Sequence, residues 1–318
     1  MFESTFKNFS INFNALNERN TVSSGDILTG NITFKLTKET KISAITMKLI
    51  GKAHVHWSTS GGGGRKRRRH RRHFSAKLEF FDLKSVILKE DGALGGTTKL
   101  LPGTHVYPFT CQIPHGNFPT SFHGVHGKID YVITVGISRP WHLSKDFLTE
   151  LNFVNHINTN QPELWAPLSG HNSTTLCCLW CASGPIEFTA TVEKKAFTPG
   201  ETVKVICDIS NASTRTATPK VKLLQKQSFF THSGSRNIVD KTLTSQTGEP
   251  ISTTSSDVHT EILIPIPPSA PLTISNCSIL RVDYTIEASL CLSAAADVTV
   301  IFPIILYSIP THNLLPQL

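Results

Sequence analysis

Histidine and cysteine are the residue types in this chain best suited to metal binding, with fourteen and seven copies. His54 and His56 lie two residues apart and would share one face of a strand, and His123 and His126 lie three residues apart around a glycine. Neither pair has a glutamate or cysteine nearby at a spacing typical of zinc sites. Histidines on the outer face of a strand more often face solvent than bind a metal. We therefore predict no metal site and no cofactor.

A second chemical candidate is the apolar segment CCLWC, which contains Cys177, Cys178 and Cys181. The last two have Cys-x-x-Cys spacing, but no second cysteine or histidine pair follows to complete a zinc site. A thioredoxin-like redox motif would need a βαβ context that the sequence lacks. Two interpretations stay open: apolar packing where the chain enters its second half, and S-acylation of one of the three cysteines beside a membrane.

A third candidate is a dense cluster of positive charge, which supplies seven of the eight net charges and leaves about +1 on the rest of the chain. We call it the basic run, and it consists of Arg65, Lys66, Arg67, Arg68, Arg69, Arg71 and Arg72. A core could not neutralise so many cations, so we predict a solvated hairpin tip over residues 58–73.

Three interpretations of the basic run are possible. It is a solvated tip without a ligand, a nuclear-localisation or nucleic-acid patch, or a contact for anionic lipid or phosphorylated cytoplasmic tails. The run lacks the aromatic residues that stack on bases, so we predict no nucleic-acid partner. Each cation near an anionic membrane contributes about 1 kcal/mol, so seven would be enough to hold the chain transiently at a membrane.

No catalytic motif is evident in the sequence. There is no Gly-x-Ser-x-Gly elbow, no Walker loop and no Gly-x-Gly-x-x-Gly before a helical pattern. The glycines at 61–64 are not followed by a helix that could bind phosphate at its N-terminus. We predict that the chain is not an enzyme.

The elements that position these groups are short runs with apolar residues at every second position. One run holds Tyr107, Phe109, Cys111 and Ile113, and a second holds Ile129, Tyr131, Ile133, Val135 and Ile137. Side chains of a strand alternate between two faces, so each run has one apolar face and one mostly polar face. Helical patterns are scarce, and we predict an all-β protein.

An internal repeat indicates two related sandwiches. Residues 22–28 resemble residues 197–203, with a glycine and an acid before an alternating strand. Residues 129–133 resemble residues 282–286 in the same order along the chain. We therefore expect Tyr131 and Tyr284 to lie on equivalent strands of two β-sandwiches.

The alternating pattern breaks after Trp141, and we place the division between domains in this part of the chain. Residues 142–184 contain prolines, Gly170 and the CCLWC segment. We predict an N-terminal sandwich over residues 1–165, a linker over 166–184, a C-terminal sandwich over 185–310 and a short tail over 311–318.

Several ordered motifs resemble arrestin-fold proteins, and among them the arrestin domain-containing proteins, or α-arrestins. In the first half these are LPGTHVYPF at 101–109, FPTSFHG at 118–124, IDY at 129–131 and RPW at 139–141. In the second half, CCLWCASGPI at 177–186 and TPGE at 198–201 resemble the opening of the C-terminal α-arrestin domain. The resemblance implies two tandem immunoglobulin-like (arrestin-fold) β-sandwiches.

The resemblance also implies an adaptor. α-Arrestins bind membrane receptors and transporters through their sandwich surfaces and recruit HECT-type WW-domain ubiquitin ligases, which leads to ubiquitination, endocytosis and endosomal sorting. The implied partners are cytoplasmic tails of receptors or transporters, such ligases and an anionic membrane surface, and the resemblance therefore favours a membrane or phosphate contact for the basic run. The alternative is a retromer-like structural subunit of an endosomal coat, which would bind fixed partners.

Two features bear on location and on the ligase. There is no signal-peptide pattern and no apolar run near the roughly 20 residues that span a bilayer, so we predict a cytoplasmic protein, peripheral at the plasma membrane and endosomes. Family members recruit the ligase through Pro-Pro-x-Tyr motifs, but here Pro267 and Pro268 are followed by Ser269 and Ala270. We expect these 318 residues alone not to bind isolated WW domains.

Overall fold

Strands dominate the part of the chain that is described. The computed structural model describes residues 5–60, 71–89, 98–178, 181–293 and 295–309, with the backbone alone for residues 60, 89, 176–178 and 181–183. These residues form twenty strands, one short 3-10 turn at Pro162–Leu164 and no α-helix. The all-β prediction is confirmed.

The chain divides into two compact units. The first comprises residues up to Asn155 together with Phe230–Ser235, and the second comprises His156–Phe229 and Arg236–Ile309. The domain and linker boundaries given above stay a prediction.

The first unit is built from eleven strands in two main sheets and one small one. They are β1 (Phe6–Phe13), β2 (Thr21–Val22), β3 (Ile27–Leu36), β4 (Thr40–Ile42), β5 (Ala44–Ser60), β6 (Arg71–Lys89), β7 (Thr98–Leu100), β8 (Gly103–Gln112), β9 (Phe122–His123), β10 (Gly127–Ser138) and β11 (Lys145–Phe153). One main sheet has the order β1-β3-β8. The other has the order β2-β11-β10-β5-β6, with β9 paired to β10, and β4 and β7 form the small sheet.

The core of the first unit follows from alternation along these strands. In β3, every second side chain is buried, including Leu28, Ile32 and Phe34. Tyr131 of β10 stacks on Phe153 of β11 with ring centroids 4.4 Å apart. Each fully buried aliphatic or aromatic side chain contributes roughly 1.5–3 kcal/mol of hydrophobic stabilisation, and these inward rows hold the two sheets together.

The second unit contains nine strands. They are β12 (Leu168–Cys178), β13 (Cys181–Val192), β14 (Ala196–Phe197), β15 (Thr202–Asn211), β16 (Ala217–Phe230), β17 (Arg236–Thr247), β18 (Ser255–Pro265), β19 (Leu280–Leu292) and β20 (Val298–Leu306). Their two sheets have the orders β12-β13-β15-β18 and β14-β20-β19-β16-β17.

The internal repeat is confirmed by the order of the strands. The sheet β2-β11-β10-β5-β6 corresponds strand by strand to β14-β20-β19-β16-β17, and β10 and β19 hold the same third place. The two buried tyrosines also make the same contact. The Tyr131 hydroxyl donates to the Pro119 carbonyl at 2.6 Å, and the Tyr284 hydroxyl donates to the Pro271 carbonyl at 2.7 Å.

The repeated glycine–acid motif forms the same turn in both units. Gly25 and Gly200 have φ angles of 85° and 91°, a left-handed conformation that glycine adopts with little strain. The following carboxylate accepts a hydrogen bond from a backbone N–H three residues earlier, Ser23 to Asp26 at 2.7 Å and Thr198 to Glu201 at 2.8 Å. Each turn therefore sets the start of the strand that follows it.

Two segments predicted as a linker or a loop contain strand residues. Residues 166–184, the predicted linker, contain all of β12 and the start of β13. β12 is an edge strand whose described side chains are mostly polar and exposed, so it has no apolar alternation to signal it.

The loop predicted for residues 58–73 is also shorter than expected. β5 continues to Ser60 and β6 already begins at Arg71, and these two residues pair across the hairpin. Residues 61–70 lie outside the described part of the chain. Backbone pairing extends the hairpin arms past Trp57, the last buried residue of β5, which stacks on Phe74 of β6, so burial does not mark where the strands end.

Candidate anion-binding site

A polar face covers the outer side of β10, β5 and β6 in the first unit. In β5, Ala53, Val55 and Trp57 are buried, so the residues between them point to the opposite side of the sheet. Lys52 and His56 are exposed on that outer side. The same alternation that builds the core thus produces a polar outer row.

The strand register brings positive charges from three strands together on this face. Lys128 of β10 lies opposite His54 of β5, which lies opposite Lys77 of β6. Lys52 lies two residues along β5 from His54 and lines the same cavity of about 350 Å³ as the other three. We call Lys52, His54, Lys77 and Lys128 the basic face.

Two carboxylates border the basic face, and one of them is buried. The Asp130 side chain is 4% exposed and contacts Lys128 Nζ at 2.7 Å and His123 Nε2 at 2.8 Å. A buried carboxylate is costly unless it is paired in this way. The other is Glu79 of β6, which is exposed. It pairs with Lys52 of β5, and Lys52 pairs in turn with Asp130 of β10.

The electrostatic environment of the face is visible at its central histidine. Burial, followed by the charges of Lys77, His56 and Lys128, lowers the pKa of His54 below its ordinary value of 6.5, while Asp130 acts in the opposite direction. The neighbouring cations thus disfavour a further positive charge. Such a surface is suited to bind an anion such as a phosphate or a carboxylate.

We expect His54 to titrate below pH 6.5 and to respond to its neighbours. Because the pKa is lowered in the folded state, His54 contributes stability that is fully present above the unfolded pKa and is lost as the pH falls through the folded pKa. Lys77→Ser should raise the His54 pKa, measured by NMR of the imidazole C–H. Lys99→Ser, which changes a lysine of β7, serves as the control. A His54 pKa at or above 6.5, or one unmoved by Lys77→Ser, would contradict this interpretation.

The described part of the basic run lies on the same strand as Lys77 of the basic face. Arg71 and Arg72 are both exposed at the start of β6, opposite Ser60 and Thr59. Arg71 is an even number of residues from Lys77, so its side chain lies on the same side of the sheet, nearer the hairpin tip. Arg72 lies on the other side. Arg65, Lys66, Arg67, Arg68 and Arg69 lie outside the described residues.

Sequence reasoning missed the basic face itself. Lys52, Lys77 and Lys128 are isolated in the sequence, and only the pairing of three strands brings them together. The signal available in the sequence was weak, since single polar residues at alternate positions are typical of any exposed strand face.

The three cysteines of the CCLWC segment lie at the end of the β12–β13 hairpin. Cys178 pairs with Cys181 in the strand register, and Cys177 pairs with Ala182. Their side chains lie outside the described part, so S-acylation stays a prediction. Elsewhere, burial raises the pKa of the Cys207 thiol to about 12, which makes it a poor nucleophile.

One group of possible metal ligands does form. His123, Asp130 and Glu150 offer ligand atoms that lie within 4.8 Å of one another, across β9, β10 and β11. Both oxygens of Asp130 already contact His123 or Lys128, so hydrogen bonding and ion pairing account for the group without a metal. The prediction of no metal site had overlooked Glu150, which is distant in the sequence.

The comparisons with known proteins follow the two units. Residues 9–160 match the arrestin (or S-antigen) N-terminal domain, and residues 182–311 match the arrestin C-terminal domain. Arrestin domain-containing protein 4 of Mus musculus is 28% identical over 91% of this chain and 69% of its own length. The chain belongs to the α-arrestin family. This α-arrestin is also 22% identical to thioredoxin-interacting protein of Rattus norvegicus, over 95% of this chain and 74% of that protein.

Family membership supports an adaptor role of the arrestin type in general, and arrestin-family adaptors are generally not enzymes. Arrestin domain-containing protein 4 of Homo sapiens is 27% identical over 92% of this chain and 69% of its own length. Among the described residues of this α-arrestin, no helix is long and apolar enough to cross a bilayer.

Proposed function

We propose that this α-arrestin is a cytoplasmic adaptor that binds the cytoplasmic tails of membrane receptors or transporters and directs them to endocytosis and endosomal sorting. Ubiquitination of the cargo by a HECT-type WW-domain ligase belongs to the same proposal, with the ligase recruited through a partner protein because these 318 residues contain no Pro-Pro-x-Tyr motif. The adaptor class rests on the two arrestin domains, and the site of tail binding rests on the basic face.

The observation that supports tail binding is the presence of cations at two places along one side of β6. Arg71 and Lys77 lie on one side of this strand, beside Lys52 and Lys128 of the neighbouring strands. An extended tail with phosphates or carboxylates at intervals would meet cations along its length. Of the two ligands considered for the basic run, anionic lipid and phosphorylated tails, this arrangement favours the tail.

The experiment compares a tail peptide carrying two phosphoserines with its unphosphorylated form. We expect the full chain to bind the phosphorylated form more tightly and the double variant Lys52→Ser, Lys77→Ser to lose roughly tenfold in affinity, since each exposed ion pair contributes up to about 1 kcal/mol. Isothermal titration calorimetry gives both affinities. The matched control is Lys226→Ser with Lys241→Ser, two exposed lysines of β16 and β17.

The control variant should bind both peptides as the parent chain does. If the basic-face variant binds the phosphorylated peptide as tightly as the control variant does, the tail does not use this face. If the parent chain binds the phosphorylated and unphosphorylated peptides with equal affinity, it does not recognise the phosphates.

A further inference from the structure

The two most exposed large apolar side chains of the described residues lie on one turn, between β10 and β11. Trp141 is 102% exposed and Leu143 is 92% exposed. Burial of an indole ring is a major source of stabilisation in a folded domain, but the ring of Trp141 is not buried. This pair of side chains therefore contributes little to holding the unit together.

The backbone of the turn holds Trp141 outward. The His142 N–H lies 3.4 Å from the Arg139 carbonyl, which closes a four-residue turn with Pro140 in second place. Trp141 occupies the third place with a φ of 58°. A positive φ at this position is normally taken by glycine or asparagine, and a tryptophan there is strained. The turn is therefore strained at Trp141, and its indole ring is exposed to solvent.

Several positive charges lie near Trp141. Lys38, Lys41 and Arg139 line one cavity with Trp141, and Lys145 begins β11 just after the turn. The carboxylate of Glu39 in the same cavity is 3.5 Å from Lys99 Nζ, so part of the negative charge is already compensated. The turn is therefore an apolar tip within a mainly cationic rim.

We propose that the Trp141–Leu143 turn inserts into the headgroup region of an anionic membrane and holds this α-arrestin at the bilayer. Tryptophan is favoured at the membrane–water interface, and lysine and arginine around an apolar tip contact the lipid phosphates. A second copy of the chain is a poorer partner for this tip, because a symmetric contact would bring its cationic rims together. The inference deepens the proposed function and rests on it, since an adaptor for membrane cargo works at the bilayer.

The strand register separates this turn from the basic run. Ser138 pairs with Ala44 at one end of the β10–β5 ladder, and Gly127 pairs with Val55 toward the other. The turn follows Ser138, whereas the basic run follows Ser60, the last residue of β5. Arg71 and Arg72, the described part of the basic run, pair with Ser60 and Thr59 at one end of β5, whereas the turn follows Ser138, which pairs with Ala44 at the other end of this seventeen-residue strand. They are independent surfaces that separate variants can test.

The test uses the full chain and vesicles of phosphatidylcholine with phosphatidylserine. The double variant Trp141→Gly, Leu143→Ser removes both apolar side chains, and glycine suits the positive φ at position 141. We expect its vesicle partition coefficient, measured by co-sedimentation, to fall by about tenfold or more relative to the parent chain. The thermal unfolding temperature of the variant should not fall, because neither side chain is buried.

A spectroscopic measurement locates the ring. The chain has four tryptophans, so the difference in emission between the parent and Trp141→Gly isolates Trp141. With vesicles this difference emission should shift to shorter wavelength and become protected from acrylamide. The control is Val125→Ser, which removes an exposed apolar side chain from a turn near the other end of β10 and should leave vesicle binding unchanged.

Three results would overturn the proposal: parent-like vesicle binding by the double variant, loss of binding only when the basic run is replaced by serine, and no vesicle binding by the parent chain. Tail-peptide binding is measured without vesicles, so its outcome is separate. A chain that binds the phosphorylated peptide but not vesicles retains the proposed tail binding and loses this inference.

Discussion

Replacing Ile133 or Ile286 by alanine is expected to lower the free energy of unfolding of the unit concerned by about 2–5 kcal/mol. Both side chains are fully buried, on the equivalent central strands β10 and β19. Ile133 lies between Leu49 and Thr149 in its sheet, so truncation leaves a cavity that the paired strands on both sides cannot easily close.

The measurement should read each unit by itself, because two compact units need not unfold together. Hydrogen exchange with mass spectrometry reports β10 and β19 separately. The controls are Leu148→Ala and Ile301→Ala, which truncate exposed side chains on the neighbouring strands β11 and β20 and should cost less than about 0.5 kcal/mol. Ile133→Ala costing no more than Leu148→Ala would mean that Ile133 is not a core residue.

Replacing all seven residues of the basic run by serine is expected to weaken binding of the phosphorylated tail peptide by about a hundredfold at low salt. Each exposed cation contributes only a few tenths of a kcal/mol to about 1 kcal/mol, but seven act on the same ligand. The run supplies seven of the eight net charges of the chain, so the variant also loses most of the long-range attraction.

Two further measurements sharpen this test. Binding by the parent chain should fall steeply as salt is raised, because exposed charges are screened beyond about 8–10 Å, and the serine variant should show a much shallower dependence. Thermal stability should stay nearly unchanged, since Arg71 and Arg72 are exposed. If the variant keeps peptide binding but loses vesicle binding, the basic run contacts lipid rather than the tail. If the variant unfolds, the basic run is packed against the domain.

The sequence alone determined the fold class and the duplication. Alternation at every second residue requires strands with one buried face, and the row from Ile129 to Ile137 is buried in β10 as that pattern predicts. The glycine–acid motif is just as local. Gly25 and Gly200 adopt a positive φ, and the carboxylate of the next residue accepts a hydrogen bond from the backbone N–H three residues before it, which closes the turn in both units. Such interactions lie within a few residues and can therefore be read from the order of residue types.

Strand ends and edge strands were predicted less well. The described side chains of β12 are mostly polar and exposed, and the β5–β6 hairpin continues past Trp57, the last buried residue of β5. In both places backbone pairing with a neighbour, rather than side-chain burial, keeps the chain extended. The pattern of apolar residues in the sequence does not indicate where those backbone hydrogen bonds form.

Only the tertiary structure decided which surfaces exist. The sequence identified the basic run as a cluster, but Lys52, Lys77 and Lys128 form one face because β10, β5 and β6 are neighbours in a particular register. The contact of Asp130 with His123 follows from the same pairing, as does the place of the Trp141 turn at the end of β10 away from Arg71 and Arg72. A shift of one residue would send alternate side chains to the other side of the sheet. That register is set by packing across the whole sandwich, which no local stretch of sequence contains.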